Sequence, residues 1–279
     1  MDVGDYRRTS HEVWQAMAPG WERWRAELAD ALAPVREWLV RALGPRPGET
    51  VLELGAGTGE TGFAAAAILG EDGRLISTDF APEMIEVARR RGTELGLGNV
   101  VYRVIDAEQI ELDSGSVDGV LCQSTYMLVA DPAAALAETR RVLRPDGRLA
   151  LSVWGAPDRN PWASIGGMVL VERGQMTRPE PGAPGVFSMG SEERIRALLA
   201  GAGFRSVRME DVTVHFSFRD LDDYERWIID VGGPFAMAVR GLSEDEREVF
   251  RARLREAFVP FAADGGYDLS GVALCAVAR

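Results

Sequence analysis

The sequence predicts an α/β fold: a mostly parallel sheet with helices on both faces. Three observations carry that expectation. Short apolar runs alternate with helix-like segments from residue 50 to residue 154, the order that parallel strands and crossover helices produce. The first run passes straight into alternate glycines, "VLELGAGTGETG" at 51–62, a loop whose backbone can approach a ligand closely. Helix starts are marked by Pro82 and by the pair Asp131–Pro132, a cap residue followed by the one residue that fits best at a first turn.

Each element follows in order. Over 10–43, Trp21, Trp24, Leu28, Leu32, Val35 and Leu39 recur at three- and four-residue steps, a helical period. Pro34 divides this stretch into two helices. "GPRPGE" at 44–49 is a linker. A strand is expected at 50–54, an alanine-rich helix at 60–69 closed by Gly70, a strand at 74–79 and a helix at 82–95. Strands at 99–106 and 116–123, a helix at 131–143 and a strand at 147–154 complete the alternation. The second half differs. Residues 155–190 are rich in Gly and Pro, with room for one short helix. A capped helix at 191–204, a long strand at 206–218, helices at 221–230 and 243–258 and a strand at 271–279 follow. Ser243 and Glu246 form a capping box at the start of the last helix.

Composition narrows the partners. Lys+Arg total 31 against Asp+Glu 43, a net charge of −12. An acidic balance argues against nucleic acid and against anionic lipid. Cys122 and Cys275 sit in apolar runs and read as buried thiols. No metal-ligand spacing is present, so no metal is expected. The first residues lack a signal-peptide core, and no run approaches the about 18 apolar residues that suggest a membrane span. A cytoplasmic location is expected. The sequence leaves oligomeric state open.

The glycine loop discriminates among ligands. A phosphate-binding P-loop needs a lysine after the glycines, and none follows. Gly57 to Gly62 formally matches the dinucleotide pattern G-x-G-x-x-G, but the glycine that follows the strand is Gly55. Counted from there, Glu60 stands where the third glycine belongs, and its carboxylate would repel a pyrophosphate. A ligand with a carboxylate, an amine and a sulfonium fits better. Glu53 would face the cationic part, and the amides opening the next helix would meet the carboxylate.

"VLELGAGTGE", "LISTDFAPEMIEVAR", "VIDAEQIEL" and "DPAAALAETRRVLRPDGRLALSVW" come in that order. Together they resemble the motifs of the class I S-adenosylmethionine-dependent methyltransferases, in their small-molecule (UbiE-like, type 11) branch. The likeness spans residues 50–154 and is looser outside. It implies a Rossmann-like seven-stranded sheet in the order 3-2-1-4-5-7-6, with strand 7 antiparallel. It implies one domain over 1–279: an N-terminal helical lid at 1–45, a cofactor-binding core at 46–154, and an acceptor-side cap with the final strands at 155–279. The implied cofactor is S-adenosyl-L-methionine, leaving S-adenosyl-L-homocysteine as product. The implied cofactor contacts are Glu53, Gly55, Ala56, Gly57, Thr58, Gly59, Asp79, Phe80, Met84, Asp106, Ala107 and Gln123. Asp79 matches the acid that holds both ribose hydroxyls. Phe80 and Met84 match apolar positions around the adenine, and Asp106 with the amide of Ala107 matches the adenine-amino site. Asp79 also suits a helix cap, and alone does not separate this cofactor from a nicotinamide dinucleotide.

Methyl transfer needs alignment and water exclusion more than a fixed catalytic residue. His11, Gln123 and Tyr126 are the catalytic candidates, in a fourth-strand end that reads "CQSTYML". His215 shares its strand with an apolar face on the other side and reads as a surface residue. Trp14, Trp21, Tyr126, Trp154 and Trp162 are acceptor-binding candidates, with plain packing as the competing reading. The expected function is methylation of a small, apolar or aromatic molecule. The alternatives are a nicotinamide-dependent oxidoreductase, a macromolecule methyltransferase and a non-catalytic cofactor-binding protein.

Overall fold

The computed structural model describes residues 3–180 and 182–279. The expected lid span therefore begins, at residues 1 and 2, outside the described residues, and the cap span omits residue 181.

The sheet has the expected architecture. Its strands are β1 (Thr50–Leu54), β2 (Arg74–Asp79), β3 (Val100–Val104), β4 (Val117–Gln123), β5 (Leu143–Trp154), β6 (Val207–Phe218), β7 (Ala262–Ala263) and β8 (Gly266–Ala278). The order is β3-β2-β1-β4-β5-β8-β6, with the two-residue β7 paired onto β8. Without β7 this is the predicted 3-2-1-4-5-7-6. β1 to β5 run parallel, and β8 is antiparallel to both β5 and β6. The central strands are buried on both faces, which explains their unbroken apolar character.

Three helices precede the sheet: α1 (Val3–Arg23), α2 (Arg25–Ala31) and α3 (Ala33–Leu43), the last with Pro34 in its first turn. α4 (Glu60–Leu69) and α5 (Pro82–Glu94) connect the first strands, and α6 (Pro132–Val142) connects β4 to β5. The Asp131 side chain caps α6 by accepting from the N–H groups of Ala133 and Ala134. α7 (Pro161–Glu172) and α8 (Glu192–Gly201) lie before β6. α9 (Leu221–Val231), α10 (Pro234–Arg240) and α11 (Glu244–Phe258) lie between β6 and β7. Ser243 and Glu246 make the capping box of α11.

Two features position the site. The β6–β8 ribbon continues beyond the end of β5: Trp154 pairs with Ala273, while β6 stays paired from Val212, opposite Ala273, to Phe218, opposite Tyr267. That six-residue overhang is about 20 Å long at 3.3 Å per residue. Its inner face carries Phe216 and Phe218, which pack against Trp162 of α7 and against Trp227 and Tyr224 of α9. The second feature is α1, which crosses the carboxyl edge of the sheet. Tyr6 donates to the carbonyl of Leu128 after β4, at 2.6 Å, and Arg7 pairs with Glu108 after β3, at 2.6 Å. His11 meets Phe80 after β2 edge-on, and Trp21 lies over Gly57 after β1. One helix thus touches the loops that follow four neighbouring strands.

Candidate functional site

The glycines do what their spacing predicts. Gly55, Gly57 and Gly59 have φ of 66°, 53° and 92°, the left-handed region that a side chain disfavours. Gly55 is also a close contact: a Cβ there would come 2.0 Å from Thr125 Oγ1. Gly57 is open by comparison, and a Cβ would meet only the Trp21 ring at 3.9 Å. The loop then enters α4 with its first-turn amides and the positive end of the helix dipole toward the same side.

Asp79, at the end of β2, is 7% exposed. One oxygen accepts the N–H of Gly57 and the other that of Ala81, both at 3.0 Å. Burial raises its pKa, opposed by the backbone N–H groups of Ala81, Gly57 and Phe80 and by the nearby His11. A carboxylate held this way is aimed and rigid, with lone pairs left for a diol.

Glu53 is placed differently from expectation. It is 3% exposed. Its carboxyl accepts from the Gly62 N–H at 2.6 Å and the Ser77 hydroxyl at 2.9 Å. The side chain is turned beneath the loop, filling the space a Cβ on Gly62 would need, and is committed to Gly62 and Ser77. Burial pushes its pKa up to about 8. Glu60, the residue at odds with a phosphate, is held by Arg25 at 3.1 Å and Arg91 at 3.4 Å.

Phe80 is partly buried beside His11. Met84 is buried in the seam between α1 and α5 with Val13, Met17 and Val87, so of these two apolar candidates Phe80 alone keeps exposed surface. Asp106 accepts the N–H of Glu108 at 2.9 Å, which curls the loop after β3 and places Ala107 at its bend. Ala56 and Thr58 are fixed in the loop, Ala56 by donating to the Thr78 carbonyl at 2.8 Å and Thr58 by burial. Gln123 ends β4, and its Oε1 accepts the Thr61 hydroxyl at 2.7 Å. Thr61 was invisible as a site residue because a hydroxyl in a first helical turn reads as a generic start signal.

Tyr126 is a correction. It is fully buried, and its hydroxyl is 2.6 Å from Thr139 Oγ1 of α6. Burial raises its pKa well above the ordinary value. It faces the core and serves neither catalysis nor acceptor contact. Trp154 and Trp162 are likewise buried in an aromatic core with Phe216, their ring centroids 4.7 Å apart. They form packing, as the competing reading had it. Trp14 and Trp21 remain partly exposed, in edge contact at 6.1 Å. A cavity of about 300 Å³ beside α2 is lined by Trp24, Glu27, Phe216, Phe218, Asp223 and Trp227, a wall the sequence divided among three distant segments. His11 lies on the Asp79–Phe80 side. His215 is exposed and 3.0 Å from Asp268. Among the described residues no helix is long and apolar enough to cross a membrane.

Comparison with known proteins finds methyltransferases in both sequence and fold. Residues 45–164 match the family described as a methyltransferase domain. The chain is 34% identical over 187 residues to a demethylmenaquinone methyltransferase of Beutenbergia cavernae, covering 62% of this chain and 72% of that one. It is 32% identical over 184 residues to a nocamycin O-methyltransferase of Saccharothrix syringae, covering 63% and 66%. Across four curated relatives, the chain spans 44% to 68% of the relative's own length. The fold matches the crystal structure of a putative methyltransferase from Bacillus halodurans with TM-score 0.58 at 20% identity, over 88% of this chain and 97% of that one.

Proposed function

The chain belongs to the class I S-adenosylmethionine-dependent methyltransferases, and from that premise we propose that it methylates a small, apolar or aromatic molecule. The observation that carries the reading is the buried Asp79 carboxylate latched to the left-handed Gly57.

The residues fit this cofactor. The left-handed Gly57 leaves its backbone without a side chain on the face that Trp21 covers. Asp79 accepts the two ribose hydroxyls, Phe80 packs against the adenine, and Asp106 with the Ala107 amide takes the adenine amino group. The amides opening α4 hold the carboxylate of the methionine end, and Gln123 touches that end, oriented by Thr61. When bound, the cofactor supplies a methyl group already activated by its sulfonium. The chain contributes alignment and exclusion of water. α1 acts as the lid, and α7, α9, α10 and α11 form the cap on the acceptor side.

Four aromatic rings in the wall of the cavity between α2 and α9, beside Glu27, Ser217, Arg219 and Asp223, support an aromatic acceptor. The relatives' names, a quinone-precursor and a natural-product methyltransferase, support a small molecule. The test is turnover of methyl-labelled cofactor with a fractionated small-molecule extract. Label in an apolar fraction is the expected result; label only in protein or nucleic acid would reject the small-molecule reading.

A further inference from the structure

The last turn of α9 holds side chains that serve two different places. Its Asp230 side chain is 17% exposed. One carboxylate oxygen, Oδ2, accepts from the Arg23 guanidinium and, at 2.9 Å, from the Trp24 indole Nε1. The neighbouring carbonyl, of Val231, accepts the Trp21 Nε1 at 3.3 Å. The backbones meet as well: a Cβ on Gly20 would come 2.0 Å from the Asp230 carbonyl oxygen. Glycine at 20, directly after Pro19 in α1, lets the two helices come this close.

The two indoles point to different sites. The Trp21 ring lies over Gly57 of the glycine loop. The Trp24 ring lines the cavity together with Phe216, Phe218 and Trp227, and Trp227 stands one turn before Asp230 on the same side of α9. An indole has a single donor N–H, so each ring is oriented by the one bond it makes. Both bonds end on adjacent residues of one helix. Of the two acceptors Asp230 is the stronger, because it carries a charge and is mostly shielded from water. On its other side α1 is anchored to α5, where Val13 and Met17 pack with Met84 and Val87. A movement of α1 onto the glycine loop is therefore passed to the end of α9 and to the cavity wall.

We propose that Asp230 is a positioning residue that couples the cofactor loop to the acceptor cavity. It holds Trp24 in the cavity wall and clamps α1 against α9, so that settling of α1 over the cofactor also orders the cavity. This rests on the methyltransferase reading. Coupling between two sites is reciprocal, so an acceptor in the cavity in turn retains the cofactor.

Hydrogen exchange of the full chain, with and without S-adenosylhomocysteine, reads the coupling. In the wild type the cofactor product slows exchange in the glycine loop and in α1, and also in α9, by at least about fivefold, the lower end of coupling between sites. Asp230→Ala keeps the protection of the glycine loop and loses that of α9. Trp24→Phe removes one donor and keeps a ring in the wall; it loses the α9 protection too, and it serves if Asp230→Ala does not fold. Asp230→Asn, which still accepts from Trp24, restores the protection. A merely structural Asp230 would lower the melting temperature in Asp230→Ala and leave the α9 protection intact, which overturns the proposal. Protection kept in Trp24→Phe but lost in Asp230→Asn overturns it as well, since the clamp would then be the Arg23 pair alone. Binding of S-adenosylhomocysteine to the wild type without any protection of α9 overturns the coupling only; no binding at all removes the methyltransferase reading beneath it.

Discussion

Asp79 and Gly57 form one unit: the carboxylate closing β2 accepts the backbone N–H of the left-handed glycine after β1 at 3.0 Å. The bond ties together the ends of two neighbouring strands, and Ala81 takes the other oxygen. Replacing Asp79 by Ala removes both hydrogen bonds to a charged group, each worth about 1.5–3 kcal/mol. The expected outcome is a lower melting temperature together with S-adenosylhomocysteine affinity reduced at least about tenfold, a loss of about 1.4 kcal/mol. Unchanged affinity in calorimetry would remove Asp79 from the site.

The two glycines of this loop separate strain from overlap. Gly57→Ala makes only an ordinary van der Waals contact with Trp21 and bears the left-handed backbone, about 1–2 kcal/mol. Gly55→Ala bears the same strain and also drives its Cβ onto Thr125, so the loss is about 3 kcal/mol or more. Chemical denaturation of both variants checks the ranking. Equal losses would contradict the tight contact at Gly55.

Glu53 gives a pH signature. Its folded-state pKa of about 8 lies above the ordinary 4.5, because burial disfavours the charge. The folded state therefore holds a proton that the unfolded state releases. The resulting stability is present in full below about pH 4.5 and is lost as pH rises toward about 8. Glu53→Gln, which cannot ionise, should gain on wild type across that window. The expected gain in relative melting temperature between pH 5 and pH 9 is at least about 4 °C, since 1 kcal/mol moves a domain of this size by 2–4 °C. A constant difference at all pH values would show that Glu53 stays charged in the fold.

The strands and the glycine loop were legible because their signals are local. Five parallel strands appear as short apolar runs, and Gly55, Gly57 and Gly59 sit at positions only glycine tolerates well. The direction of side chains past a strand end was not legible. Tyr126 reads as a polar group at the site, but Ser124 turns left-handed two residues earlier and Tyr126 is sent into the core. Glu53 failed for a related reason: the sequence shows a carboxylate beside a glycine loop, not that Gly62 leaves space for it underneath. α10 was missed because it has seven residues behind the pair Gly232–Gly233. The first helix begins at Val3 instead of residue 10, fixed by long-range partners such as Leu128 and Glu108.

Trp21 tests the lid. Its ring lies over Gly57, and its Nε1 donates to the Val231 carbonyl at 3.3 Å, joining loop, lid and cap. Trp21→Ala should speed release of bound S-adenosylhomocysteine about tenfold or more, the equivalent of about 1.4 kcal/mol of lost contact, while leaving association less affected. Stopped-flow displacement reads both rates. An unchanged release rate would mean that α1 does not retain the cofactor.

The loop from Val51 to Gly62 binds a sulfonium cofactor and not a dinucleotide. Calorimetry of the whole chain with S-adenosylhomocysteine and, separately, with NAD measures it most directly. The expected result is one S-adenosylhomocysteine bound per chain, weakened in Asp79→Ala, with no heat from NAD. Saturable binding of NAD without binding of S-adenosylhomocysteine would contradict it.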